Sequence, residues 1–191
     1  MPVLGDIMDK IIFLDIDGVL NDNTVNGYLE RCVYYLKNLV DRNGGKVVII
    51  SSLQGSGTIE KRRRLSNKLG SVGINVSDYI DPNFKGDLNG VTLSNRVIGI
   101  IDYLKKYQES SYVIIDDEFH EEYNLLGLNN YKTDMWSGLT KSDVDKIKFK
   151  KLNKSILAQV SYKYRELGSY EKATNDLVKV LKKVLNDRKG K

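Results

Sequence analysis

Two aspartates, one residue apart, end an apolar run in the stretch IIFLDIDGVLN, residues 11–21. If the run is a β-strand, Asp15 and Asp17 point to the same side, because side chains alternate along a strand. A carboxylate at the first position could attack a phosphoryl group and form an aspartyl-phosphate intermediate. The second carboxylate could protonate the leaving oxygen and later activate water. The pair therefore indicates phosphoryl transfer, with Asp15 as the nucleophile and Asp17 as the general acid and base.

Like charges on one face of a strand end repel each other, and a bound cation would stabilise them. Mg²⁺ prefers hard oxygen ligands and is usually held by one or two carboxylates together with phosphate and water. Asp116 and Asp117 end another apolar run, SYVIIDDE, and offer the further oxygens that such a site needs. We therefore expect Mg²⁺ to bind to Asp15 together with Asp116 or Asp117.

Groups that could bind a phosphate follow the apolar run KVVII at residues 46–50. Ser51 offers a hydroxyl and a backbone N–H at a loop that leads towards a helix N-terminus, and Ser52 lies beside it. A side-chain cation is still needed to offset the charge of the transition state. Arg96 and the basic group Lys61 to Arg64 are the candidates for this cation.

Apolar patterns place these groups on an alternating series of strands and helices. Helices are predicted over residues 28–42 and 58–69, from Ser94 onwards, and from Thr140 onwards with Asp143 in the first turn. Strands are predicted at residues 11–16, 46–50, 74–80, 111–118 and, as an edge strand, 129–134. The alternation favours an α/β fold with a parallel sheet and right-handed crossovers. Sites in such sheets lie outside the carboxyl ends of the strands, where these aspartates and serines fall.

The C-terminal part of the chain differs from the rest in charge. Residues 150–191 hold 12 Lys and Arg against 4 Asp and Glu, whereas the preceding residues hold 18 against 21. Helical spacing predicts that residues 151–191 form a basic helical hairpin, an extension of a domain at residues 1–150. Its charge could attract a phosphate-rich partner such as nucleic acid, or it could belong to a solvated helix surface.

The bulk composition is that of an ordinary globular protein, with 191 residues, 41% hydrophobic and 29% charged. We expect no membrane span, because no run of about 18 apolar residues exists. Asp6 and Asp9 precede the first apolar run, which argues against a secretory signal. Cys32, the only cysteine, lies among apolar residues and is expected to be a buried thiol. These features predict a cytoplasmic protein in a reducing compartment.

The quoted stretches resemble the four motifs of the haloacid dehalogenase (HAD) superfamily: FLDIDGVLN, VVIISS, Arg96 within LSNRVIGIIDYL, and YVIIDDE. They occur in order and cover residues 10–149. The segment YKTDMWSGLTKSDVDKI is also similar to the ending of small HAD domains found in Swiss Army knife RNA-repair proteins. In those domains the second motif is commonly followed by Trp-Arg, whereas this chain has Leu53-Gln54.

The resemblance implies a Rossmann-like three-layer sandwich with a mostly parallel central sheet and a minimal cap or none. It implies that Asp15 is the nucleophile, that Asp17 is the acid/base, and that Ser51 binds phosphate. It implies that Mg²⁺ is held by Asp15, the backbone carbonyl of Asp17 and Asp116, with Asp117 close by. Arg96 would fill the third-motif position, with the group Lys61 to Arg64 as the alternative.

The expected function is that of a Mg²⁺-dependent phosphomonoesterase acting on nucleic-acid ends or nucleotides. The open site that a minimal cap leaves suits a large substrate. One alternative is a phosphatase of small metabolites or nucleoside monophosphates, and another is a binding or scaffold module that uses the C-terminal helices. We expect His120, the only histidine, to have a surface or supporting role. Trp136 and the tyrosines could stack on bases, although most should be core or rim residues.

Overall fold

The computed structural model describes residues 10–21, 28–51, 58–80, 95–107, 110–118 and 120–153. Strands and helices alternate through these ranges, as the apolar patterns predict. In chain order the elements are β1 (Lys10–Leu14), α1 (Glu30–Asn43), β2 (Gly45–Ile49), α2 (Thr58–Ser71), β3 (Val76–Tyr79), α3 (Asn95–Lys106), β4 (Ser111–Asp116), α4 (His120–Leu125), β5 (Asn130–Lys132), α5 (Lys141–Lys146) and β6 (Lys150–Lys151).

The strands form one mostly parallel sheet with the order β3-β2-β1-β4-β5. All neighbours along this path are parallel, so their carboxyl ends share one edge of the sheet. The short strand β6 runs antiparallel to the start of β4, where Lys151 pairs with Ser111. β1 lies at the centre of the sheet, and Asp15 directly follows it.

Apolar side chains on both faces of the sheet bury two cores, which gives the three-layer sandwich that the sequence predicted. Ile12 and Leu14 of β1 face one core together with residues of α1, α2 and α5. Ile11 and Phe13 face the other core together with residues of α3 and α4. Strands covered on both faces read as continuous apolar runs, which explains the pattern IIFL in β1.

The helix boundaries follow the sequence signals where the structure describes them. Thr140 caps α5 in a capping box: its Oγ1 accepts from Asp143 N at 3.3 Å, and Asp143 Oδ2 accepts from Thr140 N at 2.8 Å. This confirms the predicted cap. Ser94, the predicted cap of α3, lies outside the described residues. The sequence patterns predicted neither α4 nor β6.

The predicted hairpin also lies almost entirely outside the described residues, which end at Asn153. None of the described helices has the length and apolar content that a membrane span requires.

Candidate active site

The carboxyl edge of the sheet brings together aspartates from two neighbouring strands. Asp15 follows β1 and Asp116 ends β4, and Asp15 N donates to Ile115 O at 2.9 Å. Together with Asp117, these residues offer three carboxylate oxygens that lie within 4.8 Å of one another. Asp15 and Asp116 are buried, and Asp117 is half-buried. Negative charge is therefore concentrated at the carboxyl ends of the parallel strands, where sites in such sheets lie.

Among the described residues, Arg96 in the first turn of α3 is the cation in contact with this cluster. Its Nη1 lies 2.7 Å from Asp116 Oδ2 and 3.3 Å from Asp15 Oδ2. The three side chains are nearly inaccessible to solvent. Buried charges are tolerated when they are paired and hydrogen-bonded, and one guanidinium cannot neutralise three carboxylates. In the part of the chain that the structure describes, the cluster therefore has an excess of negative charge, which favours a further cation.

The raised pKa values of two carboxyl groups in the cluster also favour a further cation. Burial raises the pKa of Asp15 to about 7; Arg96 opposes this rise, and Asp116 adds to it. Burial also raises the pKa of Asp117, and the neighbouring Asp116 raises it further. The pKa of Arg96 is lowered by burial but raised by more through Asp15 and Asp116, so the guanidinium stays charged.

A divalent cation fits this arrangement. Asp15 Oδ1 is buried and has no hydrogen-bond partner among the described residues. Gly18 adopts φ +68°, and a Cβ there would lie 2.3 Å from Asp117 Cγ, so only glycine lets the loop pass this close to the carboxylate. Three crowded carboxylates are suitable ligands for a hard cation, because its charge offsets their mutual repulsion.

Asp116 is held in place by two further donors. Tyr123 Oη donates to Asp116 Oδ2 at 2.7 Å, and Glu118 N donates to Asp116 Oδ1 at 2.9 Å. Tyr123 lies on α4 and is fully buried, and its pKa is raised by burial first and by Asp116 second. Sequence reasoning missed this tyrosine because it predicted no helix at residues 120–125. An aromatic residue shortly after the DDE motif was the available signal.

Asp17 has different surroundings from Asp15, although only one residue separates them. Its side chain is exposed, and Oδ1 accepts from Asn21 Nδ2 at 2.8 Å. Asn21 Oδ1 in turn accepts from Gly18 N at 2.9 Å, which closes the loop DGVLN. Thr133 Oγ1 donates to Gly18 O at 2.9 Å and ties the loop to the end of β5. The loop is thus fixed, and its second carboxylate faces solvent.

Tyr28 lies close enough to Asp17 to be affected by its charge. Burial raises the pKa of Tyr28, and the neighbouring Tyr79 and Asp17 raise it further. Sequence reasoning did not single out this residue, which precedes α1.

Ser51 is buried two residues after the end of β2, and the intervening Ile50 N donates to Leu14 O of β1 at 2.9 Å. The residue therefore lies at the same edge as Asp15. Ser52, like Leu53 and Gln54, lies outside the described residues.

The alternative basic group lies on α2 and has other partners. Arg63 and Arg64 pair with Glu60 at 2.9 Å each, and both are exposed. The Arg62 guanidinium lies over the ring of Tyr79, 5.1 Å from its centroid. The contacts with Asp15 and Asp116 therefore favour Arg96 for the third-motif position.

His120 contacts Tyr123, one of the residues that hold Asp116. Its Nδ1 is 2.8 Å from Asn130 Oδ1, and its ring meets the edge of Tyr123, which contacts Asp116. The buried thiol expected at Cys32 is also observed, packed in the core.

Comparison with known sequences gives one family. The model of the family described as "HAD domain in Swiss Army Knife RNA repair proteins" matches residues 11–144. The matched range runs from the first motif, through Arg96, to the ending that follows β5. Comparison with curated proteins gives no match. HAD domains are hydrolases of the phosphatase type, and a typical member uses a divalent metal. The chain belongs to the family of HAD domains found in Swiss Army Knife RNA repair proteins.

Proposed function

We propose that the protein is a Mg²⁺-dependent phosphomonoesterase that acts on phosphorylated nucleic-acid ends or nucleotides through an aspartyl-phosphate on Asp15. The observation that carries the proposal is the buried Asp15 carboxylate. Its Oδ2 faces Arg96, and its Oδ1 has no partner among the described residues. A nucleophile needs such an oriented oxygen that no competing hydrogen bond occupies.

In the first step an Asp15 oxygen attacks the phosphorus, and the bond from phosphorus to the ester oxygen breaks. Asp17 donates its proton to the leaving oxygen, for which its exposed position beside the cluster is suitable. In the second step Asp17 takes a proton from water, and the water oxygen attacks the same phosphorus. Inorganic phosphate leaves and the Asp15 carboxylate is restored. Asn21 keeps Asp17 in one orientation through both steps.

Charge at the reacting phosphate is offset by groups at the strand ends. Asp15, Asp116, Asp117 and the backbone carbonyl of Asp17 would hold Mg²⁺, which supplies neutralisation of phosphoryl oxygens. Ser51 and Ser52 would bind phosphate oxygens by hydroxyl and N–H groups. Arg96 orients Asp15 and Asp116, since it contacts both, and its charge opposes the rise in the pKa of Asp15.

The assignment of nucleic acid as the substrate is supported by three features. The family is described from RNA repair proteins. Only residues 15–29 separate β1 from α1, too few for a large domain to cover the site from that interval. The C-terminal residues 151–191 carry an excess of positive charge. We place the catalytic domain at residues 1–150 and propose that the basic extension attracts the substrate.

A substrate panel tests the proposal on the full chain. It compares 3′- and 5′-phosphorylated oligonucleotides of one sequence, nucleoside monophosphates, a sugar phosphate and an aryl phosphate, each with Mg²⁺ and with chelator. We expect Mg²⁺-dependent phosphate release, fastest from an oligonucleotide or nucleotide. Asp15→Asn should abolish it, and Asp102→Asn, an exposed aspartate paired with Lys105 on α3, should not.

Absence of Mg²⁺-dependent release from every substrate in the panel would reject the proposal, as would full activity of Asp15→Asn. Release from small phosphates alone would support the alternative of a metabolite phosphatase. If the basic extension attracts nucleic acid, KM should rise with salt for the oligonucleotide much more steeply than for the sugar phosphate.

A further inference from the structure

Trp136 is an exposed aromatic residue in the turn that follows β5. Its relative exposure is 66%, and the neighbouring Met135 is exposed as well. The chain has a single tryptophan. A lone exposed apolar residue needs no explanation by itself. The reasons to consider this one are the rigidity of its turn and the position of that turn.

The backbone around Trp136 is fixed by hydrogen bonds to one residue. Asp134 O accepts from Ser137 N at 3.1 Å and from Gly138 N at 2.8 Å. Asp134 Oδ1 accepts from Trp136 N at 2.8 Å. A large side chain presented from a fixed backbone loses little conformational entropy when it binds, which is the property of an aromatic anchor.

The turn is attached directly to the candidate active site. Leu139 N donates to Val19 O at 2.8 Å, and Thr133 N donates to Asp116 O at 3.1 Å. Gly138 adopts φ +61°, and a Cβ there would lie 2.9 Å from Val19 O, so the turn and the loop that carries Asp17 are in contact. The turn that carries Trp136 is therefore adjacent to the loop that carries Asp17 at the candidate active site.

Positive charge lies against the same turn. Arg31 Nη2 donates to Ser137 O at 3.4 Å, which places a guanidinium against the same turn. Aromatic rings that stack on bases, combined with nearby cations for the backbone, are the usual means of binding single-stranded nucleic acid. A ring and a guanidinium beside a phosphate-hydrolysing centre match a substrate that carries a base next to its phosphate.

We propose that Trp136 is a stacking platform for a base of the nucleic-acid or nucleotide substrate, and thereby determines specificity against phosphates that lack a base. The proposal rests on the proposed function, because the base reaches Trp136 when its phosphate is bound at the Asp15 centre.

Because Trp136 is the only tryptophan, its emission reports on this position alone. The first experiment titrates full-length Asp15→Asn, which prevents turnover, with a 3′- or 5′-phosphorylated oligonucleotide in the presence of Mg²⁺. Ribose 5-phosphate and inorganic phosphate serve as probes without a base. We expect saturable quenching by the oligonucleotide and an unchanged emission with the probes that lack a base.

The second experiment measures kcat/KM for the oligonucleotide and for ribose 5-phosphate. Trp136→Ala should lower the ratio of the two by roughly tenfold, within the range of one base stack, and Trp136→Phe should recover most of it. Tyr107→Ala is the control: this exposed aromatic follows α3 at the opposite edge of the sheet, and its loss should leave the ratio unchanged.

Binding of a fluorescently labelled oligonucleotide without any change in Trp136 emission would overturn the stacking proposal and leave the proposed function intact. A change in emission with protein concentration alone would also overturn it, in favour of contact between two copies of the chain. Hydrolysis of ribose 5-phosphate without binding or hydrolysis of oligonucleotides and nucleotides would overturn both the platform and the nucleic-acid part of the proposed function.

Discussion

Helices α2 and α3 both carry arginine in the segment between β2 and β4, but in opposite surroundings. On α2, the side chains of Arg63 and Arg64 are 67% and 78% exposed, and both pair with Glu60 on the same helix. On α3, the side chain of Arg96 is 8% exposed and lies between two buried carboxylates from different strands. Arg63 and Arg64 thus make local, solvated pairs, whereas Arg96 connects its helix to the sheet.

The difference follows from solvation. An exposed ion pair exchanges water for a partner at little net gain, and salt screens it further. A buried pair is costly to form, but removal of one partner leaves the other charge without compensation. Charge density along the sequence therefore does not locate a site. The position of a charge relative to the strand ends does.

The largest effect is expected from Arg96→Ala. The change leaves Asp15 and Asp116 buried without their cation, and we expect a loss of about 3–5 kcal/mol in the free energy of unfolding, measured with urea. Mg²⁺-dependent phosphate release should fall by more than about a hundredfold. Arg96→Lys should recover part of the stability, since it restores the charge but not the planar guanidinium. Unchanged stability in Arg96→Ala would mean that the buried carboxylates do not need this arginine.

A second expectation concerns pH in the presence of chelator. The carboxyl group of Asp15 has an ordinary pKa of 3.8 and a folded pKa of about 7, so the folded chain holds more protons between these values. The free energy of unfolding should therefore fall as pH rises from about 4 to 7. Saturating Mg²⁺ should reduce this fall, because a cation stabilises the ionised carboxylates.

The matched control for this pH dependence is Glu60→Gln on α2. The hydrogen bonds from Arg63 and Arg64 lower the pKa of Glu60 below its ordinary value of 4.5. Glu60 therefore stabilises the fold at pH values above 4.5, and this effect is lost at lower pH. The substitution should not alter how the free energy of unfolding changes between pH 5 and 7. Urea midpoints across this range, with and without Mg²⁺, provide the measurement. A stability that rises with pH in chelator would contradict the expectation.

Tyr123→Phe should have a smaller effect, directed at the metal. It removes the hydroxyl that holds Asp116 Oδ2 and leaves the packing of the ring in place. Groups that orient a metal ligand typically contribute 10- to 100-fold in affinity, so we expect Mg²⁺ binding, followed by calorimetry, to weaken by about tenfold.

Tyr112→Phe is the control for this change, because Tyr112 is also buried but its Oη accepts from Asn129 N at the far end of β4. It should lose some stability without changing the affinity for Mg²⁺. Equal Mg²⁺ affinities for the two variants would show that Tyr123 acts only through the fold.

The sequence predicts the sheet well, because buried parallel strands and amphipathic helices leave strong periodic patterns. β1 and β4, apolar on both faces, are recognisable from their runs alone, and Thr140 marks the start of α5 by its side chain. α4 has six residues and β6 has two, too few to set up a period, and neither has a cap signal such as the one that marks the equally short α5. These two elements are therefore the ones that the patterns missed.

The candidate site also has residues that the sequence predicts and residues that it does not. Sites in parallel sheets lie outside the carboxyl ends of the strands, and this rule predicted from the sequence that Asp15 and Asp116 lie in one region. The choice between Arg96 and the arginines of α2 depends on packing between distant segments, which no local pattern records. Tyr123 could not be assigned for the same reason, since its contact with Asp116 requires the position of a helix that the sequence did not predict.

The smallest effect is expected from the double substitution of Arg63 and Arg64 by Gln. Both side chains are exposed and pair within their own helix, so their loss should hardly move the urea midpoint. The kcat/KM for a phosphorylated oligonucleotide should change by less than about twofold, with the same dependence on salt. A larger loss together with a weaker salt dependence would place α2 on the path of the nucleic acid. The arginines of both helices would then have a binding role. Those of α2 would bind the substrate backbone, and Arg96 of α3 would bind the buried carboxylates.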